Sequence, residues 1–329
     1  MKRTACQQGA ALLGAMLTVA LVASLASAAL WLQWRQVDIE TAERGRAQSQ
    51  WLMVGALDWT RLILAEDARS AQNIDHLGEP WALRVQESRL STFLAQDRQW
   101  REGDPEIYLS GQIMDAQARL NLAALVQDGQ IAPAALAAWV RLFERLNLPM
   151  AELDALTRHW PQALAASQGA SDQRRSTGTE DSQPAFLLPQ RLDQLVWLGL
   201  SAPTIEQLRP YATVLPVPTP VNLNTAPAPV LEAVVPGLDA ASARQLVLRR
   251  SQKPWESLQE AAQAMGAAGR QLDDRQHAVR SRFFEVHGRL RIEQQVQDEV
   301  ALVERDGLRV RMLWRVRAQQ APVQTVSLQ

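Results

Sequence analysis

MKRTACQQG (residues 1–9) runs without a spacer into AALLGAMLTVALVASLASAALWL (residues 10–32), and this junction decides the fold. Ala10 to Leu32 is 23 residues with no charge and no proline. At 1.5 Å rise per residue a helix of that length is about 34 Å long, enough to cross a hydrocarbon core of about 30 Å. Lys2 and Arg3 precede it, which keeps the short leader in the cytoplasm and sends the remainder across. Two other readings of this end stay open. Ala26-Ser27-Ala28 has the form of a signal-peptide cleavage site, but the apolar run continues past it through Leu30, Trp31 and Leu32. It is also longer than the usual apolar region of about 7–15 residues. A plain uncleaved anchor accounts for the helix and leaves the Gly9 junction unexplained.

Outward from this segment, the first proline is Pro80, and between Ala10 and Gly78 the only glycines are Gly14, Gly45 and Gly55. Leu52, Ala56, Trp59 and Ile63 are spaced four, three and four apart, which puts them on one face of a helix. One helix is therefore expected from the membrane to about Ser70, with Gly45 as its weakest point. The alternative is a short anchor followed by a separate globular helix.

With 34 basic and 35 acidic residues, the formal net charge of -1 gives no global field for nucleic acid or anionic lipid. The only cysteine is Cys6, in the leader. Beyond it no disulfide, thiol nucleophile or cysteine metal site is available.

Trp81–Val85 and Glu106–Ser110 are short enough for strands, with Gly103-Asp-Pro105 as a turn. Leu120, Leu125, Leu136, Val140, Phe143 and Leu146 recur at helical spacing, so helices are expected from Asn121 to about Trp160. Residues 165–185 are almost free of large apolar side chains and read as a solvated loop. Helices resume from about Gln190 to Leu208. Leu215-Pro-Val-Pro-Thr-Pro-Val221 is an extended connector, because residues before proline leave the helical region. The last fifty residues change period. Phe284, Val286, Leu290 and Ile292 alternate with polar residues; Glu299–Arg305 is a second strand; Asp306-Gly307 turns the chain into Leu308, Val310, Met312, Trp314 and Val316. This is a three-stranded meander with one apolar face, and Arg309, Arg311, Arg315 and Arg317 form its wet side. Such a face needs a cover, and the stalk helix is the natural one.

The expected fold class is therefore α+β: a long N-terminal hydrophobic helix, an antiparallel sheet that resembles the pilin type, and a large all-helical insertion of SAM-like or helix-hairpin-helix type. The expected segments are residues 1–9 leader, 10–32 transmembrane helix, 33–119 stalk and first part of the sheet domain, 120–278 helical insertion, and 279–329 the completing meander.

Within the insertion, Val221-Asn-Leu-Asn-Thr-Ala226, Val230-Leu231, Pro236-Gly-Leu238 and Ala243–Arg250 resemble a helix-hairpin-helix. Asn224 or Thr225 is the expected cap of its first helix, and Pro236-Gly237 the turn. Such hairpins can meet DNA phosphates with turn amides, assisted here by Arg244, Arg249, Arg250 and Lys253. A membrane-anchored DNA-binding protein is thus the alternative function. On a neutral chain beyond the membrane, a packing role is favoured and nucleic acid is not an expected partner.

Catalytic patterns are missing from the sequence. His76, His159, His277 and His287 lack zinc-ligand spacing, and no G-x-S-x-G, phosphate-loop or dinucleotide glycine pattern occurs. No catalytic residue is assigned. The acidic loop with Asp172 and Gly178-Thr-Glu180-Asp181 is the remaining chemical candidate, for calcium.

Taken together, the leader with Gly9, Ala56-Leu-Asp-Trp59, Asp75-His-Leu-Gly-Glu-Pro-Trp81, Gly111-Gln-Ile-Met-Asp-Ala-Gln-Ala-Arg-Leu-Asn-Leu122 and Val221–Ala226 resemble, in that order, the minor pseudopilin K family of type II secretion systems (general secretion pathway protein K). The resemblance covers nearly the whole chain. It implies a structural, non-enzymatic subunit with the chain single-pass in the inner membrane, N-terminus cytoplasmic and soluble part periplasmic. It further implies cleavage by prepilin peptidase between Gly9 and Ala10 and methylation of Ala10. Mature position five, a glutamate in other pilins, is Gly14 here, as suits a subunit at the pseudopilus tip. The implied partners are the I and J minor pseudopilins, other pseudopilus subunits and secreted substrates. The family's insertion can hold calcium in a loop matched here by Gly178-Thr-Glu180-Asp181, so Glu180 and Asp181 are the implied ligands. The acidic segment expected upstream is replaced by Trp160-Pro-Gln-Ala-Leu-Ala165.

Overall fold

The computed structural model describes residues 5–69, 74–90, 106–172, 186–293 and 295–318. Two compact units make up the chain, Met1–Gly55 and Ala56–Gln329.

The first unit is the greater part of helix α1, which runs from Ala5 to Asp67 in 63 residues. Among the described residues it is the one helix long and apolar enough to cross a membrane. Its polar side chains inside the apolar run close on the helix itself: Thr18, Ser24 and Ser27 donate to the carbonyls of Ala15, Ala20 and Ala23 at 2.8–2.9 Å. A bilayer demands such internal satisfaction. Gly45, the expected weak point, does not interrupt α1. A lone glycine costs a helix only about 1 kcal/mol relative to alanine, and Ser49 Oγ donates to the Gly45 carbonyl at 2.8 Å.

In the second unit a five-stranded antiparallel sheet carries the order β1-β2-β3-β4-β5: β1 Val85–Arg89, β2 Ile107–Asp115, β3 Phe283–Ile292, β4 Gln295–Asp306 and β5 Arg309–Arg317. β2 pairs with β3 from Ile107↔Ile292 to Asp115↔Phe284, so residues 116–282 enter and leave at neighbouring strand ends. The last turns of α1 cover one face. Leu57 and Leu64 are buried, and Arg61 Nε donates to the Val310 carbonyl of β5 at 2.9 Å. The buried stripe is thus centred one residue beyond the expected one. Ala56 and Ile63 are half-buried and Trp59 is exposed, because both residue sets fit helical spacing and only the sheet's position selects between them.

The meander stands as expected, with two differences. Phe283 and Leu302 are buried on the second face with Ala116 and Leu215, so the sheet has two partly apolar faces. A bulge between Leu302 and Val303 inserts Leu313 into β5 and breaks the alternation written through Met312 and Trp314. The four arginines of β5 are exposed, as expected.

Upstream, Trp81 is not in a strand. Pro80–Ala82 is a 3-10 turn that buries Trp81 edge-on against Phe284, ring centroids 5.1 Å apart, and β1 begins only at Val85. Gly103–Pro105 lies outside the described residues.

The helical block contains α2 (Pro133–Arg145), α3 (Met150–Asp172), α4 (Ala202–Leu208), α5 (Ala228–Val234), α6 (Ala240–Gln252) and α7 (Leu258–Met265). It has its own core, including Trp139, Leu142, Phe143, Trp160, Leu195, Leu231 and Ala243. Residues 121–131, expected to be helical, are extended and 3-10 instead. Asn121 causes this locally: its Oδ1 accepts from the amides of Ala123 and Leu215, at 3.0 and 3.1 Å. Residues 165–172, expected in a loop, continue α3.

Candidate functional site

The two sequence blocks Gly111–Leu122 and Val221–Ala226 meet where the helical block joins the sheet. Asp115 ends β2 with its carboxylate buried. Its Oδ2 accepts from Thr225 Oγ1 at 2.6 Å, Ser281 Oγ at 2.6 Å and Asn222 Nδ2 at 2.9 Å, while Oδ1 accepts from the Gln117 amide at 2.7 Å. Burial raises the Asp115 pKa, and the hydroxyls of Ser281 and Thr225 act against that rise. Four donors on one carboxylate lock the exit of β2, the 221–225 turn and the approach to β3 together.

Neighbouring side chains extend the lock. Gln117 Nε2 donates to the Pro220 carbonyl at 3.0 Å, and its Oε1 accepts from the Arg282 amide at 2.6 Å. Asn224 exchanges two hydrogen bonds with the backbone of Trp255, both 3.0 Å. Arg250 is buried, donates to the Leu223 carbonyl, and is pushed down to about 10 by that burial. On the sheet's second face Arg119 pairs with Glu285 at 2.8 Å. Burial alone would raise the Glu285 carboxyl, but Arg119 and His287 bring it to about 2.

A second charged centre sits at the end of α1. Arg305 of β4 pairs with Asp67 at 2.6 Å and with Asp75, and it donates to the Ser281 carbonyl at 3.0 Å. Ser281 N donates to Asp75 Oδ2 at 2.7 Å, which links this centre to Asp115. Glu79 accepts from the His76 amide at 2.9 Å and from Trp81 Nε1 at 2.7 Å, and burial raises its carboxyl to about 7. Oxygens of Asp67, Asp75 and Glu79 lie within 4.8 Å of one another, but Arg305 already occupies the cationic position beside two of them.

The hairpin is present, with different capping from that expected. Its first helix, α5, starts at Ala228 behind Pro227 with no side-chain cap. Asn224 and Thr225 are buried in the lock, because the chain needs three more residues to leave it before it can coil. Gly237, at φ +78°, makes the turn. Asp239 caps α6 by accepting from the amides of Ala241 and Ser242 at 2.9 and 2.8 Å. That carboxylate stands where a phosphate would have to bind. Arg250 is turned inward and Lys253 pairs with Glu260 at 3.1 Å, while Arg244 and Arg249 are exposed.

Among the described residues no histidine belongs to a group of three or more side chains able to share a metal ion. His277 reaches the carbonyls of Asp273 and Val234, and His159 stacks on Phe186 with centroids 4.5 Å apart. Gly9 and Ala10 lie within α1, as does Gly14, whose surroundings are open to 4 Å. Glu180 and Asp181 lie outside the described residues. Sequence reasoning quoted Asp75 within a block without a role and missed Ser281 and Arg305, because their importance lies in burial, which is not visible in a sequence.

Family models described as "Type II secretion system (T2SS), protein K" match residues 118–217 and 221–280. Type II secretion system protein K of Klebsiella pneumoniae is 32% identical over 272 residues, covering 77% of this chain and 78% of that protein. The Pseudomonas aeruginosa protein of the same description is 26% identical over 295 residues, covering 85% and 83%. A chain in the crystal structure of the GspK-GspI-GspJ complex from the enterotoxigenic Escherichia coli Type 2 Secretion System shares the fold, with TM-score 0.61, 19% identity and coverage of 85% of this chain and 99% of that one. On this similarity, and with the long apolar helix, antiparallel sheet and helical block in place, the chain belongs to the type II secretion system protein K family, the minor pseudopilin K.

Proposed function

We propose that the chain is a structural subunit at the tip of the type II secretion pseudopilus. There it initiates assembly with the I and J minor pseudopilins and supports export of folded proteins across the outer membrane. The observation that carries this reading is Gly14, the fifth residue after Gly9, in an apolar run without any carboxylate. A carboxylate in hydrocarbon is costly unless paired. A subunit with nothing packed above it has no terminal amine to neutralise, so glycine suits that place. The relative in the GspK-GspI-GspJ complex supports the choice of partners.

In this reading prepilin peptidase cuts after Gly9, Ala10 is methylated, and α1 stays in the inner membrane with the sheet domain and helical block in the periplasm. Further pseudopilus subunits join below, and secreted substrates meet the tip. For Glu180 and Asp181 the reading includes weak calcium binding, carried by sequence alone. Calorimetry with millimolar calcium tests it, and absence of heat removes it.

The experiment for the main reading is co-purification of the membrane-extracted protein with the I and J relatives of the same secretion system. A stable ternary complex is expected, and separate elution of all three would contradict it.

A further inference from the structure

The apolar run ends on Trp31 and Leu32, Trp34 follows after Gln33, and the first charge after Arg3 is Arg35. The two indoles are one turn apart on the same side of α1, and they are 63% and 77% exposed. The Arg35 guanidinium lies over the Trp31 ring, 5.6 Å from its centroid. Ala29, Gln33 and Gln36 occupy the opposite side at the same height, so the aromatic and cationic groups are confined to one side. From Ala10 to Trp31 the helix rises about 32 Å at 1.5 Å per residue, close to the hydrocarbon thickness of about 30 Å.

The geometry points to Trp31, Trp34 and Arg35 as a one-sided lipid anchor that seats in the outer headgroup layer of the bilayer and sets the depth and rotation of α1. Indoles favour that layer because their rings are amphipathic. A guanidinium above an indole face keeps its charge at the headgroups while its stem lies along apolar surface. Interfacial residues of these kinds, more than helix length, fix how a transmembrane helix sits. Asp38 and Glu40 follow directly, which bars further insertion. For a subunit that must enter a fibre, this fixes the register from which α1 leaves the bilayer.

This inference rests on the periplasmic orientation proposed above, and the test separates the two. In the full chain carrying Cys6→Ser, single cysteines replace Ala29, Gln33, Gln36 and Glu40 in turn. Spheroplasts are then labelled with a membrane-impermeant maleimide. Glu40→Cys and Gln36→Cys are expected to react and Ala29→Cys to be protected. Adding Trp31→Ala with Trp34→Ala is expected to move the protected boundary by one helical turn, whereas Trp51→Ala leaves it in place. An unmoved boundary overturns the anchor. So does a boundary that follows the tryptophans only when the I and J relatives are co-expressed, since that assigns the pair to a protein contact. No reaction at Glu40→Cys from outside contradicts the orientation itself and takes both readings with it.

Discussion

Thr225 donates its hydroxyl proton to the Asp115 carboxylate at 2.6 Å, joining residues 110 positions apart. Ser281 donates to the same oxygen at 2.6 Å. The carboxylate is therefore the point at which the helical block is tied to the sheet. Thr225→Val is expected to cost about 1–3 kcal/mol, since it leaves a buried acceptor short of a donor. Combined with Ser281→Ala, the loss should depart from additivity by more than about 0.5 kcal/mol, as both variants act on one atom. Urea unfolding of the four proteins measures this, and strict additivity would remove the shared lock.

Glu79 yields a dependence on pH. Burial raises its carboxyl from 4.5 to about 7 in the folded protein. Between those values the folded state holds a proton that the unfolded chain has released. Its contribution to stability is therefore most favourable below pH 4.5, falls as pH rises toward 7, and is level above that. His76, whose pKa burial lowers, contributes the opposite slope. Thermal unfolding between pH 5 and 8 should show the Glu79 slope in the native protein and not in Glu79→Gln. Equal slopes would contradict the assignment.

Gly111 of β2 faces Gly288 of β3. A methyl group at Gly111 would meet the His287 carbonyl oxygen at 2.6 Å, and that oxygen belongs to a paired strand. Gly111→Ala is expected to destabilise by about 1–3 kcal/mol through overpacking. A shift in the urea midpoint measures this, and an unchanged midpoint would show that the strands part freely.

Long periodic elements were legible in the sequence: α1, the meander and the hairpin turn at Asp306-Gly307 all follow from apolar spacing and turn chemistry. The bulge at Leu313 was not, because inserting one residue leaves the local pattern looking like continued alternation. Asn121, Asn224 and Thr225 were misplaced for one reason. Short polar side chains at such positions look like helix caps or helix surface, yet here they are spent on groups far along the chain, backbone amides and carbonyls for Asn121 and Asn224 and the Asp115 carboxylate for Thr225. Gly111–Leu122 and Val221–Ala226 stood out as blocks, but only the folded chain brings Asp115 to Asn222 and Thr225.

The cap at Asp239 bears on the DNA-binding alternative. The full chain in detergent should give no salt-dependent gel shift with duplex DNA, as the α6 amides already have a carboxylate acceptor. Asp239→Ala should cost about 1 kcal/mol of stability without creating DNA affinity. A shift that steepens at low salt would restore the alternative.

The most direct test is the intact mass of the protein extracted from membranes of cells with an active prepilin peptidase. A chain beginning at N-methylated Ala10 with its greasy helix still attached is expected, and unprocessed protein from Gly9→Ala. A chain beginning at Ala29, or one cut after residue 9 despite Gly9→Ala, would contradict this.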